Sequence, residues 1–328
     1  MAFRKAWVCL LGVLVGAQTV WGVELRLKYA KDQEQKTKVT VIMDGKVEIE
    51  GSQRISASAT GNFGVTMAQK VLNVDDQGVG EIEFRLDGFD VNTNAKVDMG
   101  TEKHDFGAKI NESSGTITAD GKEEKIPISG EIKSQSWTVR MNNLGAPVGF
   151  DLDSSQMGSD EAAEVKKVSD NLASFVSQSA PLPEKDVKEG DTWENVLSIK
   201  ELTASLAKDN PMLSAFTDLG IEDVKTVSAL KELRDEGGSQ LAAIQSTTNF
   251  LWKDGSIPLG IVNVTVNKLE MKNESTTEVN NTAGVIARTS SIATLEFDLV
   301  INSALGPEGP ATYNAKGSIK LDSTTLTE

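Results

Sequence analysis

The chain has 328 residues, of which 39% are hydrophobic, and its 33 basic and 48 acidic side chains give a formal net charge of −15. This length is enough to bury a sizeable core, in one large domain or two smaller ones. An acidic surface repels DNA, RNA and anionic lipid head groups, so we expect no nucleic-acid partner.

Residues 1–22 have the pattern of an export signal. A basic start with Arg4 and Lys5 precedes an apolar run of about a dozen residues, which is too short to span a bilayer. Cleavage sites follow Ala17 and Gly22, and loss of the two basic residues takes the net charge from −15 to −17. We expect a protein exported to the periplasm or the extracellular space, with no transmembrane segment in the mature chain; a short uncleaved anchor is the alternative.

The only cysteine, Cys9, lies inside this signal and is not placed as a lipid-modified cysteine would be. The mature chain therefore has neither disulfides nor thiolate chemistry. This composition favours a bacterial cell-envelope protein over a disulfide-stapled extracellular domain.

Alternating apolar and polar residues indicate β-strands along most of the chain. The alternation occurs in residues 23–30, 81–86, 136–141, 263–266 and 294–301. Such strands are typical of an antiparallel sheet that is buried on one face. Asp44-Gly45, between two further alternating runs, predicts a hairpin turn.

Two regions have helical spacing instead. In residues 159–180, Val165, Val168, Leu172 and Phe175 recur on one side, and residues 201–219 read as a second helical segment. Helices this apolar on one face need a partner, and the buried face of the sheet is the obvious one.

Residues 71–84 and 230–243 share a strand–turn–strand pattern, with Asp76 and Gly78 of the first matching Asp235 and Gly237 of the second. A chance match between two hairpins is the alternative to an internal repeat. We therefore expect an N-terminal β-rich half over 23–158, a connecting helix over 159–180, and a C-terminal β-rich half over 181–328 with the helical insertion at about 201–219.

The sequence argues against catalysis. His104 is the only histidine, and its neighbour Asp105 would point to the opposite face of a strand, so no nucleophile–His–acid arrangement is indicated. The sequence has too few cysteine and histidine residues to form a zinc site. We expect no cofactor. A hydrolase with paired carboxylates is a distant alternative, since only three tryptophans remain to form a sugar-binding groove.

One segment comes near to a calcium loop. Asp90, Asn92, Asn94 and Asp98 have the spacing of oxygen ligands, but Ala95 replaces the required glycine and no bidentate Glu follows at the last position. We expect an Asn-rich β-turn here and no metal.

Four side chains are candidates for contact with an apolar ligand held between helices and sheet: Trp137, Leu172, Phe175 and Trp193. For Trp193 the interpretation as a structural anchor of the first strand of the second half is favoured, because Gly190-Asp191 turns the chain directly before it.

The start of the mature chain and the segment containing Leu182-Pro183, Val187, Gly190, Asp191 and Trp193 resemble a group of uncharacterised bacterial secreted proteins and lipoproteins. That group opens with a Leu-Arg-Tyr-like strand and has an LPxxxVxxGDxW segment midway. More remotely, it is similar to the periplasmic lipoprotein-carrier half-barrels, in which a curved sheet wraps helices around a lipid-binding cavity. The resemblance implies location and architecture, not chemistry.

From these patterns we predict an α+β protein, mostly antiparallel β, in which a large curved sheet carries helices on its concave apolar face. The leading functional hypothesis is a non-catalytic envelope protein that binds a lipid or another apolar ligand. A structural or protein-interaction component with a filled core is the alternative.

Overall fold

The computed structural model describes residues 26–51, 54–128, 136–152, 187–200, 222–259, 262–306 and 309–328. In these ranges the chain forms fourteen β-strands, and helical backbone occurs only at Ile199 and Lys200, at the end of a described range. The first eight strands are β1 (Glu34–Glu50), β2 (Arg54–Val74), β3 (Gly80–Asp98), β4 (Lys103–Asn111), β5 (Gly115–Ala119), β6 (Lys122–Ile126), β7 (Ser136–Met141) and β8 (Pro147–Leu152). The other six are β9 (Thr192–Leu197), β10 (Val224–Glu236), β11 (Ser239–Leu259), β12 (Val262–Asn280), β13 (Val285–Gly306) and β14 (Gly309–Thr327).

All fourteen strands belong to one antiparallel sheet. Its order is β6-β5-β4-β3-β2-β1-β14-β13-β12-β11-β10-β9, and β7 and β8 form a branch on β3. The long strand β3 pairs with β7 through residues 80–85 and with β4 through residues 90–98. The first and last strands pair along fourteen residues of β1, so the two chain halves share one sheet.

The sheet curls, so that one short segment contacts two turns that are far apart in the strand order. Residues 26–30, which we call the N-terminal strap, join the β7–β8 turn to the β12–β13 turn: Leu27 N donates to Asn143 O at 2.7 Å, and Lys28 N donates to Gly284 O at 3.1 Å. Four strands (β3, β2, β1 and β14) separate β7 from β13 in the sheet order. A flat sheet would hold these turns far apart, because neighbouring strands are about 4.8 Å apart.

The two faces of the sheet differ in chemistry. Rows of inward-facing residues contain the buried apolar clusters, which centre on Val71, Ile82 and Phe84 in one half and on Leu230 and Ile244 in the other. On β1–β3 and β9–β14, Asp235 at the tip of the β10–β11 hairpin is the one charged side chain in the inward-facing rows of these described strands. The acidic and basic residues of these strands therefore lie outward, in water.

Outward charges form cross-strand ion pairs. Lys268 on β12 lies 2.6 Å from Glu270 and 2.9 Å from Glu296 of β13, and Lys272 also contacts Glu270. These two lysines lower the pKa of the Glu270 carboxyl to about 2. Exposed pairs of this kind contribute little stability individually, but they keep the outer face of long strands well solvated.

The same local arrangement of the backbone occurs twice. Val71 exchanges hydrogen bonds with the preceding turn: Asp32 N donates to Val71 O, and Val71 N donates to Gln33 O, both at 2.9 Å. In the second half, Gly190 N donates to Leu230 O at 2.8 Å and Leu230 N donates to Asp191 O at 3.1 Å.

Three further features match between the halves. The first turn residue has a positive φ in both, 64° at Asp32 and 89° at Gly190. A β-bulge follows the central apolar residue in both, at Leu72 and at Lys231. Finally, Tyr29 and Val187 pack against the equivalent clusters. The strands β1–β2–β3 and β9–β10–β11 are therefore structural repeats. The β2–β3 turn is longer than the β10–β11 turn, so the ungapped hairpin similarity seen in the sequence holds along β2 and β10 but not beyond the turns.

The predicted α+β fold, with helices on the concave face, is wrong for the described residues, which form strands almost throughout. Among the described residues, apolar side chains of the inner face pack on their neighbours in the sheet and on the strap, where Leu27 contacts Tyr29, Leu144 and Ile286. The segments 159–180 and 201–219, for which helices were predicted, lie outside the described residues, as does the signal 1–22. The domain boundaries stay a prediction.

The hairpin predicted at Asp44-Gly45 is also wrong, because β1 runs through it without a break. Val39, Val41 and Met43 precede the dipeptide and Val47 follows it, all at odd positions on the inward face. A two-residue hairpin would instead have paired Met43 with Lys46 across the turn, so the alternation is in phase only with a continuous strand.

Candidate binding site on the inner face

A pocket of about 110 Å³ lies between the strap and the inner face of the sheet. Its apolar wall combines strap, N-terminal half and C-terminal half, and consists of Leu27, Tyr29, Val71, Ile82, Phe84, Met141, Val285 and Ile286. Its uncharged polar wall consists of Gln33, Gln35, Thr37, Gln69, Thr289 and Thr327. Lys28 also lines it, with its ammonium group directed to Thr282 O at 3.1 Å.

The strap positions the apolar wall. Leu27 is 8% exposed and packs with Leu144, Ile286 and Tyr29. The Tyr29 ring lies over Gly80, where a Cβ atom would collide with it, and its hydroxyl donates to Asn142 O at 3.3 Å. Burial raises the pKa of the Tyr29 phenol well above its usual value, so this side chain stays neutral at all physiological pH values.

The polar wall is internally hydrogen-bonded. Gln69 Nε2 donates to Thr37 Oγ1 at 2.7 Å across the β1–β2 pair, and Thr277 and Thr289 hydroxyls are 3.4 Å apart across the β12–β13 pair. An apolar wall that faces neutral hydrogen-bonding groups suits an amphipathic guest better than an ion.

Two of the four predicted ligand contacts are placed by the structure. Trp137 on β7 stacks on the pocket residue Phe84, with ring centroids 5.9 Å apart and planes at 7°. Trp193 on β9 packs against the cluster of Leu230 and Ile244. Leu172 and Phe175 lie outside the described residues.

The near-calcium segment is neither a loop nor the predicted β-turn. Asp90, Asn92, Asn94 and Asp98 lie on the outward face of β3, where same-face neighbours are about 7 Å apart and cannot surround one ion. Asp98 instead accepts a hydrogen bond from Gly100 N at 2.9 Å and lies 3.0 Å from Lys103 Nζ. Among the described residues, no group of three or more His, Cys, Asp or Glu side chains could hold a metal ion.

His104 has an acidic environment on β4. Its Nδ1 lies 2.8 Å from Asp120 Oδ2 and its Nε2 lies 3.6 Å from Glu102. The hydrogen bond with Asp120 raises the pKa of His104, and the Glu102 carboxylate acts in the same direction. Both ring nitrogens thus face carboxylates. His104 is therefore placed to form ion pairs with Asp120 and Glu102 rather than to activate a nucleophile.

Sequence reasoning missed the contribution of the chain ends. Thr289, Thr327 and Gly284 enter the pocket because β14 pairs with β1 and the β12–β13 turn meets the strap. The alternation of Leu27 and Tyr29 marked an inward face, but residues 26–30 are not a strand of the sheet. No local pattern signals which remote turn such a segment meets.

Comparison with known proteins gives no family. No family model matches the chain, and no curated protein matches it. Similar solved structures include a beta-barrel-like protein of the domain of unknown function DUF1849 from Brucella abortus, at 10% identity, 90% coverage of this chain, 99% of the other, and a TM-score of 0.18. OccK7 from Pseudomonas aeruginosa matches at 6% identity over 89% of this chain and 99% of the other, with a TM-score of 0.20.

The transport unit of the autotransporter AIDA-I from Escherichia coli matches at 9% identity, over 94% of this chain and 95% of the other, with a TM-score of 0.15. At TM-scores this low, none of these similarities carries a conclusion about ligand or location. A long apolar helix able to cross a membrane does not occur among the described residues.

Proposed function

We propose that this chain is a non-catalytic, exported binding protein of the bacterial cell envelope that holds the apolar part of a lipid or similar amphiphile against its inner face. The observation that carries the proposal is the pocket between the strap and the two halves of the sheet. Export rests on the signal pattern in residues 1–22.

The size of the pocket indicates what it takes. An apolar cavity of about 150 Å³ accepts a benzene ring, and complete drug-sized ligands need about 300–1,000 Å³. A pocket of about 110 Å³ suits the end of an alkyl chain, with the rest of the guest lying along the inner face. Burial of each methylene group contributes about 0.8 kcal/mol, so a few buried carbons give measurable affinity.

The charge distribution supports a non-catalytic role. Acid–base hydrolysis needs two carboxylates that converge on one bond. The carboxylates of β1–β3 and β9–β14 lie on the outward face, with Asp235 at the hairpin tip as the exception among these described strands.

A displacement titration tests the proposal. The neutral fluorophore N-phenyl-1-naphthylamine is bound to the protein and displaced with 1-dodecanol. Thr327→Trp fills the pocket from its wall, and Leu326→Trp is the matched control because Leu326 lies next to it on the outward face, 39% exposed. We expect displacement in wild type and Leu326→Trp and its loss in Thr327→Trp; equal binding by all three, or by none, contradicts the proposal.

An interaction protein is the second candidate, and one feature of the outer face favours it. Ile42 and Ile292 are 54% and 47% exposed and flank Asp322 in one cross-strand row of β1, β14 and β13. Exposed apolar side chains grouped on a charged face are typical of contact surfaces. Capture of an envelope protein by wild type but not by Ile42→Lys would favour this candidate.

A further inference from the structure

The inner face of the second repeat carries a compact group of neutral polar side chains, which we call the hydroxyl–amide patch. It fills two adjacent cross-strand rows on β9–β12. One row is Trp193, Ser228, Ser246 and Ser275, and the other is Asn195, Thr226, Thr248 and Asn273.

The centre of the patch is buried and satisfied. The Ser228 and Ser246 hydroxyls are 2.8 Å apart, and so are those of Thr226 and Thr248. These four side chains are at most 7% exposed. Hydroxyls paired across strands at such depth form a rigid floor.

The margins of the patch are buried without partners. Trp193 Nε1, Asn195 Nδ2 and Asn273 Oδ1 have no hydrogen-bond partner in the described structure. Ser275, which is 7% exposed, lies beside Ser246 in the same row. Burying donors and acceptors without partners is unfavourable, so such groups in a folded protein are normally satisfied by a bound molecule or by ordered water.

The first repeat has only part of this patch. The two repeats can be aligned on Val71 and Leu230 and on their strand partners, Ile82 and Ile244. In this alignment Phe84 corresponds to Ser246, and Leu86 corresponds to Thr248. Phe84 lies in the apolar wall of the pocket. The positions equivalent to Trp193, Asn195 and Ser228 are Gln35, Thr37 and Gln69, which belong to its polar wall, so the repeats differ mainly on their third strands, β3 and β11. The two surfaces are continuous, because the pocket residue Thr289 pairs with Thr277, the next inward residue after Ser275 on β12.

The described strands around the patch offer little charge to neutralise an ion. In the inward rows of β9–β12, Asp235 is the one acidic or basic side chain at the described positions, and it lies at the hairpin tip, seven residues along β10 from Ser228. An ionic head group would lose its hydration without gaining a counter-charge, whereas a hydroxylated group would find both donors and acceptors.

We propose that the hydroxyl–amide patch is a head-group subsite for an uncharged polyol or sugar, attached to the apolar chain that enters the pocket. This inference rests on the proposed function and specifies its ligand as a neutral amphiphile.

The test compares amphiphiles that share one chain. Dodecyl maltoside, 1-dodecanol, dodecyl sulfate and dodecyltrimethylammonium displace N-phenyl-1-naphthylamine below their micelle-forming concentrations. We expect the maltoside to bind about tenfold more tightly than dodecanol, because two or three added hydrogen bonds each contribute a modest amount, and more tightly than both ions.

Ser275→Ala and Asn273→Leu should each lower the ratio of maltoside affinity to dodecanol affinity about threefold or more. Thr276→Ala is the matched control, since Thr276 is the outward, exposed neighbour on the same strand. Melting temperatures confirm that each variant is folded.

The outcomes separate the two proposals. Equal binding of all four amphiphiles, tighter binding of an ion, or an unchanged ratio in Ser275→Ala overturns the head-group subsite while the pocket proposal stands; the patch would then hold only water. Failure of every amphiphile to displace the fluorophore overturns both.

Discussion

At the scale of single residues, two features of Trp193 have opposite effects on the stability of the folded protein. Its ring packs on the cluster of Leu230 and Ile244, which stabilises the start of the second repeat. Its Nε1 donor is buried without a partner, which costs stability in the free protein. A buried donor without a partner on a well-packed side chain calls for an explanation, such as a bound molecule or an ordered water.

Substitution of Trp193 separates these effects. We expect Trp193→Ala to destabilise the protein by about 2–4 kcal/mol, because it removes a large packed ring. Trp193→Phe keeps most of the ring and removes the unsatisfied donor, so thermal denaturation should show an unchanged or higher melting temperature. A melting temperature that does not fall in Trp193→Ala would mean that the ring does not anchor the cluster.

The pair of His104 and Asp120 predicts a pH dependence of stability. The hydrogen bond with Asp120 raises the pKa of His104 in the folded state. The pair therefore stabilises the folded protein fully below the unfolded pKa of about 6.5, and this stabilisation is lost as the pH rises through the folded pKa. His104→Gln should therefore lower the melting temperature at about pH 5.5 and change it little at about pH 9.

Asp120 limits this effect at the acidic end. Its pKa is lowered by His104, so the pair weakens only when the pH falls far enough to protonate that carboxylate. A difference between wild type and His104→Gln that grows from about pH 5.5 to about pH 9 would have the wrong sign for this pair.

At the scale of elements, the strap is the smallest segment with the largest structural consequence. It alone joins the β7–β8 turn to the β12–β13 turn among the described contacts. Leu27→Ala should destabilise the protein by about 2–4 kcal/mol, because it empties a buried position where two arms of the sheet meet.

Lys28→Ala is the control for Leu27→Ala in chemical denaturation. It keeps the backbone hydrogen bond to Gly284 O and removes only an exposed contact to Thr282 O, so we expect a change within about 0.5 kcal/mol. Similar losses in both variants would show that side-chain packing does not hold the strap.

The sequence predicted strands better than it predicted where they end. Ile82, Phe84 and Leu86 were identified as one face of a strand and are buried together. The turn predicted at Asp44-Gly45 was wrong because the Asp-Gly dipeptide was given more weight than the alternation of apolar residues across it. Met43 and Val47 are four residues apart, which places them on the same face of an unbroken strand. The oxygen-rich segment from Asp90 was mistaken for a turn for the same reason: Val91 and Val97 alternate with it.

At the scale of the whole molecule, one sheet carries two kinds of inner surface on two similar backbone arrangements. The repeats share a turn, a bulge and a buried apolar centre, while Phe84 and Leu86 in one correspond to Ser246 and Thr248 in the other. The backbone arrangement is similar and these side chains differ, so the curl places an apolar pocket beside a neutral polar floor.

Long-range pairing is the part that the sequence could not supply. Alternation fixes which face of a strand is buried, but not which strand lies beside it. Pairing of β1 with β14, the branch of β7 from β3 and the crossing of the strap all join residues far apart in the chain. The pocket depends on all three contacts, so the candidates chosen from the sequence included its neighbour Trp137 but not Thr289 or Thr327.

The most direct test of the central claim is native mass spectrometry of the protein purified from its own host, followed by solvent extraction of whatever is bound. We expect the wild type and Leu326→Trp to carry an extractable, uncharged amphiphile, and we expect Thr327→Trp to carry none. A wild-type protein that carries no such molecule, or a Thr327→Trp variant that carries as much as Leu326→Trp, would contradict a binding site on the inner face.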